Sequence, residues 1–273
     1  MSPASDLDTS KAFYEPDGDH FVATKHTRGP WDPDAQHAGP PSALLGREIE
    51  RMPTRDGVPM RVARITYEIV RPVPIERLRV QTRVVRPGRR VELDEAILLD
   101  ESGQELVRAS AWRIRVEPIE IPGDTPFAEH KAIAGPEAGV DNDFFPTGHE
   151  FGYHSAMEMS FLRGAFLERG SALVWMRMRH PLVAGEGPSQ LQRVLIAADT
   201  GNGVSSVLDW RKYLFINVEL SVHLQRYPRG EWVCLDAVTE VESDGIGRSD
   251  TVISDREGPI ARASQALLID GRP

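Results

Sequence analysis

One cysteine, Cys234, stands in the 273 residues, so an internal disulfide is excluded. Its neighbours Val233 and Leu235 fit a strand pattern and no base lies near it in sequence, so it reads as a small buried apolar residue. No stretch approaches the roughly 20 apolar residues that a membrane-spanning helix needs. The opening MSPASDLDTSKAF lacks a basic start and an apolar run; neither a secretory nor a transit peptide is read there, and a cytoplasmic location is expected. Positive charge is also short. A net charge of −9 disfavours binding to nucleic-acid phosphates. No Gly-x-x-x-x-Gly-Lys string offers a phosphate loop, and no Gly-x-Ser-x-Gly elbow anchors serine-hydrolase chemistry. The eight histidines form no close pair with a second ligand, so no metal site is expected. Gly201-Asn-Gly203 is too short to carry a motif.

What remains is an ordinary globular composition, 40% hydrophobic and 27% charged. The length suits one large or two small domains, and the organisation favours two. Residues 117–150 hold five prolines and four glycines without a sustained period of 2 or 3.6, which marks a connection. The expected division is therefore 1–116, a linker over 117–150, and 151–273.

In the first half a hairpin is expected from Phe13 to Thr24, turning at Pro16-Asp-Gly18. A helix follows from Pro41 to Met52, with proline in its first turn and Ala43, Leu44, Ile49 and Met52 on one side. Strands come next: Ile65, Tyr67 and Ile69 alternate with Thr66 and Glu68, and Leu78, Val80, Thr82 and Val84 with Arg79, Gln81 and Arg83. Val91–Leu99 and Leu106–Val116 continue the sheet. The second half repeats the order. Gly152–Phe161 pairs with Ala172–Arg179, a helix runs from Pro188 to Val204, and strands follow near Leu214–Gln225, Glu231–Glu242, Arg248–Asp255 and Ile260–Asp270. Asp100-Glu-Ser-Gly103 matches Asp255-Arg-Glu-Gly258, Arg108-Ala-Ser110 matches Arg262-Ala-Ser264, and Thr66-x-Glu68 matches Asn217-x-Glu219. The fold class is α+β: a helix followed by long antiparallel strands that wrap it is the hotdog arrangement, and two copies form an internal pseudo-dimer.

These residues resemble the double-hotdog acyl-CoA thioesterases related to bacterial thioesterase II. Gln36-His-Ala-Gly-Pro-Pro-Ser-Ala-Leu-Leu45 is similar to the family's His-Gly-Gly segment, with Ala38 in place of the middle glycine. Tyr67-Glu-Ile-Val-Arg-Pro-Val-Pro74 is similar to the strand and turn beyond the helix. In the second half Ala198-Asp199, Asn217 and Ser264-Gln265 match the positions where the family holds its hydrolytic water with an aspartate, a threonine or serine, and a glutamine. The resemblance thus assigns Asp199, Asn217 and Gln265 to catalysis, with Asn217 departing from the hydroxyl residue. It implies an acyl-CoA substrate, no cofactor, and outer faces able to pair into a homo-oligomer.

The residues carry their own argument. Gln265 falls on the apolar side of its strand with Ala261, Ala263 and Leu267, where an unpartnered amide would cost roughly 1 to 3 kcal/mol, so partners should be present. The matching first-half position is Ala111. Asp199 borders the stripe of Leu191, Val194, Leu195 and Ala198, a place where desolvation favours a general base; the pattern alone favours a solvated helix aspartate, and the resemblance reverses that preference. Asn217, Glu219, Ser221 and His223 alternate with Ile216, Val218, Leu220, Val222 and Leu224, so the four share one sheet face, toward either the helix or solvent. His37 and Gly39 precede a helix start whose free N–H groups can polarise a thioester oxygen, which makes them substrate-binding candidates. Arg86, Arg89 and Arg90, or Arg226 and Arg229, could meet CoA phosphates or stand as solvated turns. A non-catalytic acyl-CoA binder is the alternative. An enoyl-CoA hydratase would need a paired Asp and His, and the helix after Asp199 offers no histidine.

Overall fold

A computed structural model describes residues 11–142, 144 and 146–272; most of the opening segment thus lies outside the described residues. Alternation becomes strands as expected. In chain order β1 (Tyr14–Asp17) and β2 (His20–Ala23) precede helix α1 (Gly39–Arg51), then β3 (Met60–Ile69), β4 (Arg77–Arg86), β5 (Val91–Leu99) and β6 (Glu105–Arg115). The second half runs through α2 (Tyr153–Ala156), β7 (Met157–Arg163), β8 (Ala172–Met178), α3 (Gln190–Ala198), α4 (Gly201–Val204), β9 (Tyr213–Asn217), β10 (Glu219–Leu224), β11 (Val233–Val241), β12 (Ile246–Asp255) and β13 (Gly258–Gly271). Among the described residues these thirteen strands make one sheet, ordered β1-β2-β4-β5-β6-β3-β10-β13-β12-β11-β8-β7 with β9 also on β13. Every ladder is antiparallel, and β3 against β10 joins the halves. No described helix is long and apolar enough to cross a membrane.

The helices lie against one side of this sheet and against each other. Ala43, Leu44, Leu45 and Ile49 of α1 are buried with Leu191, Val194, Leu195 and Ile196 of α3 in one apolar core. Two glycines permit the close crossing. A Cβ on Gly39 would stand 2.4 Å from the Ile196 carbonyl oxygen, and one on Gly46 would stand 2.2 Å from a Leu195 methyl. The first obstacle is backbone, so Gly39→Ala is expected to cost about 1–3 kcal/mol as the helices part. An unchanged Tm would show that they do not meet so closely.

Three expectations need correction. The helix over 188–204 is not continuous: it breaks at Asp199-Thr200 into α3 and α4. Gly152 leads into the short α2 rather than straight into a strand. The strand over 214–225 is also interrupted, because Asn217 pairs with Leu267 and Ser221 with Ser264, so three residues stand against two of β13. This bulge turns the strand over. Asn217, opposite the buried Leu267, faces the helices, while Ser221 and His223 stay on the outer face opposite Ser264 and Arg262. The expected common face for the four polar residues is therefore lost. It also means that Thr66, opposite Ser110, corresponds by ladder to Ser221 rather than to Asn217. Within the segment read as a connection, Ala134 and Pro136 accept hydrogen bonds from Trp175 and Ser160, which fastens them to β8 and β7.

Candidate active site

The helix break and the strand bulge meet. Asp199 ends α3 and is only 4% exposed. Asn217 Nδ2 donates to its Oδ1 at 2.8 Å. Gln265, 1% exposed on the inner face of β13, donates through Nε2 to the Asp199 carbonyl at 3.1 Å and to Oδ1 at 3.4 Å. Its own Oε1 accepts from the Asn202 N–H at 3.2 Å, which fixes the orientation of the amide. The partners demanded by a buried glutamine are thus present.

His37 reaches the same carboxylate from the other half of the chain. Its Nδ1 lies 3.0 Å from Asp199 Oδ2 and 3.0 Å from the Gly39 nitrogen. One ring nitrogen cannot both donate to the carboxylate and accept from Gly39. The Gly39 N–H is aimed at Nδ1 and donates to it, while Nδ1 meets Oδ2 as a close charge contact; in the other tautomer Nδ1–H turns to the carboxylate and releases the Gly39 N–H at the start of α1. The ring is held flat against Tyr153, with centroids 3.8 Å apart and 7° between planes. The Tyr153 hydroxyl donates to the Ile196 carbonyl at 2.7 Å and lies 2.8 Å from Thr200 Oγ1. Burial, reinforced by the Asp199 charge, keeps that phenol far above its ordinary range, so it remains a donor.

Sequence reasoning missed three neighbours. Tyr153 lies 116 positions from His37 in sequence, and no local signal joins them. Asn202 sat in the string judged too short to signify; Gly201 beside it is needed because a Cβ there would stand 2.5 Å from Thr251 Oγ1. Ser249, opposite Gln265 in the ladder, is fully buried with an Oγ that finds no partner among the described residues. The first half has a different solution at the matching ladder position. There Asp94 faces Ala111, and Arg113 donates to Asp94 and Glu92 at 2.6 Å each and to the Met52 carbonyl at 2.9 Å.

Other candidates recede. Cys234 is buried and its thiol is pushed up to about 12, chiefly by desolvation, as suits an inert residue. Arg89 is paired with Asp56, Arg226 with Asp255 and Arg229 with Glu257. Among the described residues no group of three or more His, Cys, Asp or Glu is arranged to hold a metal.

A helix layer on one broad antiparallel sheet is the architecture of hotdog proteins, and known structures agree. A Thermobifida fusca YX protein provisionally named a thioesterase II superposes with a TM-score of 0.72 at 18% identity, covering 99% of each chain. A conserved protein of unknown function with a hotdog fold from Alicyclobacillus acidocaldarius gives 0.72 at 13% identity over 95% of this chain and 96% of that one. The acyl-CoA thioesterase II of Mycobacterium marinum gives 0.60 at 14% identity, over 80% and 84%. No curated protein matches the sequence. Residues 27–114 match the acyl-CoA thioesterase N-terminal domain and residues 134–269 the acyl-CoA thioesterase C-terminal domain. The chain therefore belongs to the acyl-CoA thioesterase family, in its thioesterase II-like branch.

Proposed function

We propose that the protein hydrolyses acyl-CoA thioesters to a free acid and CoA, in a fold of two fused hotdog repeats over 1–116 and 151–273 joined by 117–150. The observation that carries this reading is the convergence of Asn217, Gln265 and His37 on the single carboxylate of Asp199. Asp199 takes a proton from water as it attacks the thioester carbonyl. Asn217 keeps a second amide proton for that water, since its NH2 donates twice and only one proton is spent on Oδ1, while Gln265 spends both of its protons on Asp199 and holds the base in place. The negative oxygen that forms is met by the Gly39 N–H and the positive end of α1; as it collapses the C–S bond breaks, and the CoA thiolate departs with the proton that Asp199 took. His37, donating to the other carboxylate oxygen, fixes the plane of the base. No cofactor enters this scheme.

Release of free thiol from a panel of acyl-CoAs of increasing chain length tests the proposal, and turnover with at least one is expected. Saturable binding without thiol release would leave a non-catalytic acyl-CoA binder, the reading that Asn217 in place of a hydroxyl residue invites. The His37–Asp199 contact favours a second reading. The missing histidine that counted against hydration of enoyl-CoA is supplied from the other half, so enoyl-CoA belongs in the same panel. Hydration without hydrolysis would replace the first reading by the second.

A further inference from the structure

The chain is strongly anionic, yet a corner beside the site is cationic and aromatic. No ion pair joins Arg211, Lys212 or Arg272 to a carboxylate among the described residues. They sit together because β9 and β13 run side by side to that end, Tyr213 pairing with Gly271, and the Arg272 N–H donates to the Lys212 carbonyl at 2.8 Å. The Arg272 guanidinium lies 5.2 Å over the Trp31 ring, and that ring meets Phe215 edge-on at 5.0 Å. Arg211 lies 5.4 Å over Trp210. A cleft of about 200 Å³ adjoins, lined by Gly203, Trp210, Arg211 and Phe215 among others, with Asp209 in its wall 3.5 Å from Arg169.

This corner is in line with the candidate base. Asn217 touches Asp199 at one end of β9, and Lys212 directly precedes Tyr213 at the other; the four strand steps span roughly 13 Å at about 3.3 Å per residue, and one residue more brings the separation to roughly 16 Å. That span matches an extended pantetheine arm between thioester sulfur and diphosphate. Asn202 ties the two ends, its N–H on Gln265 and its side-chain amide on the Phe215 carbonyl. We propose that this corner binds the phosphorylated adenosine end of CoA: the phosphates on Arg211, Lys212 and Arg272, the adenine in the aromatic cleft. The assignment rests on the acyl-CoA reading of the site. It differs from the clusters the sequence suggested, of which Arg89, Arg226 and Arg229 already hold carboxylates.

Two measurements on the full-length protein and on the Lys212→Glu/Arg272→Glu double variant test it, with thermal unfolding as a check on folding and Lys212→Gln/Arg272→Gln as the milder alternative. The first is calorimetric binding of 3′-phosphoadenosine 5′-phosphate. Affinity is expected to fall tenfold or more in the variant, and in the wild type to weaken as salt rises. The second is the ratio of kcat/KM for an acyl-CoA to that for the same acyl group on N-acetylcysteamine, which lacks the nucleotide. This ratio is expected to fall tenfold or more, through KM for the CoA ester. Equal nucleotide affinity together with an unchanged ratio overturns the subsite. Should the wild type hydrolyse neither ester, the catalytic reading falls and nucleotide binding alone decides the subsite. An unchanged ratio with impaired hydrolysis of an acyl group on an acidic carrier protein would overturn it in favour of protein docking.

Discussion

Asp199→Asn lowers acyl-CoA turnover by about 10²-fold or more while the chain stays folded, by analogy with removal of one oxyanion donor. The change keeps the shape of the side chain. Its amide oxygen can take the place of Oδ1 and accept from Asn217 and Gln265, while its NH2 turns to His37, whose Nδ1 can present a lone pair in the other tautomer. The hydrogen-bond pattern survives; the capacity to accept a proton from water does not. Gln265→Ala is a harsher test of the same point, since it leaves the buried Asn202 N–H without its acceptor, at roughly 1–3 kcal/mol. Steady-state hydrolysis beside thermal unfolding separates the two effects. Wild-type rates in Asp199→Asn would remove the proposed base.

The largest loss of stability is expected elsewhere, from Arg113→Leu. Arg113, Asp94 and Glu92 are all buried, and two carboxylates share the one guanidinium. Burial already raises the Asp94 pKa against the pull of Arg113, with the Glu92 charge adding to the rise. Without the cation both acids are left uncompensated, which costs about 3–5 kcal/mol and, for a chain of this size, lowers Tm by roughly 10 °C. Adding Asp94→Asn and Glu92→Gln should recover part of the loss by removing the stranded charges. A single variant with wild-type Tm would mean that the cluster is solvated or rearranged.

How legible all this was depends on whether local pattern or distant contact decided it. Gln265 stood out because a lone amide among Ala261, Ala263 and Leu267 is an anomaly that period 2 exposes, and the buried partners were there. Asp199 was visible only as a border residue. Nothing in Leu195-Ile-Ala-Ala-Asp199-Thr200 announces the break that ends α3 there. Asn217 was grouped on one face with Ser221 and His223 because a bulge adds one residue between two regular ladders, and alternation counted from sequence cannot contain it. His37 was chosen for its helix start, whose Gly39 N–H it does meet, yet its other partners are Asp199 and Tyr153, contacts made by tertiary packing alone.

The crossing of α1 and α3 has one further consequence. His37 and Gly39 come from one half of the chain, while Asp199, Asn217 and Gln265 come from the other, held together by two missing methyl groups and the β3–β10 seam. On the proposed reading, neither half holds every group that the hydrolysis needs. A chain cut within the proline-rich connection would yield fragments that are inert apart, and activity regained on mixing would report that the two had found each other again.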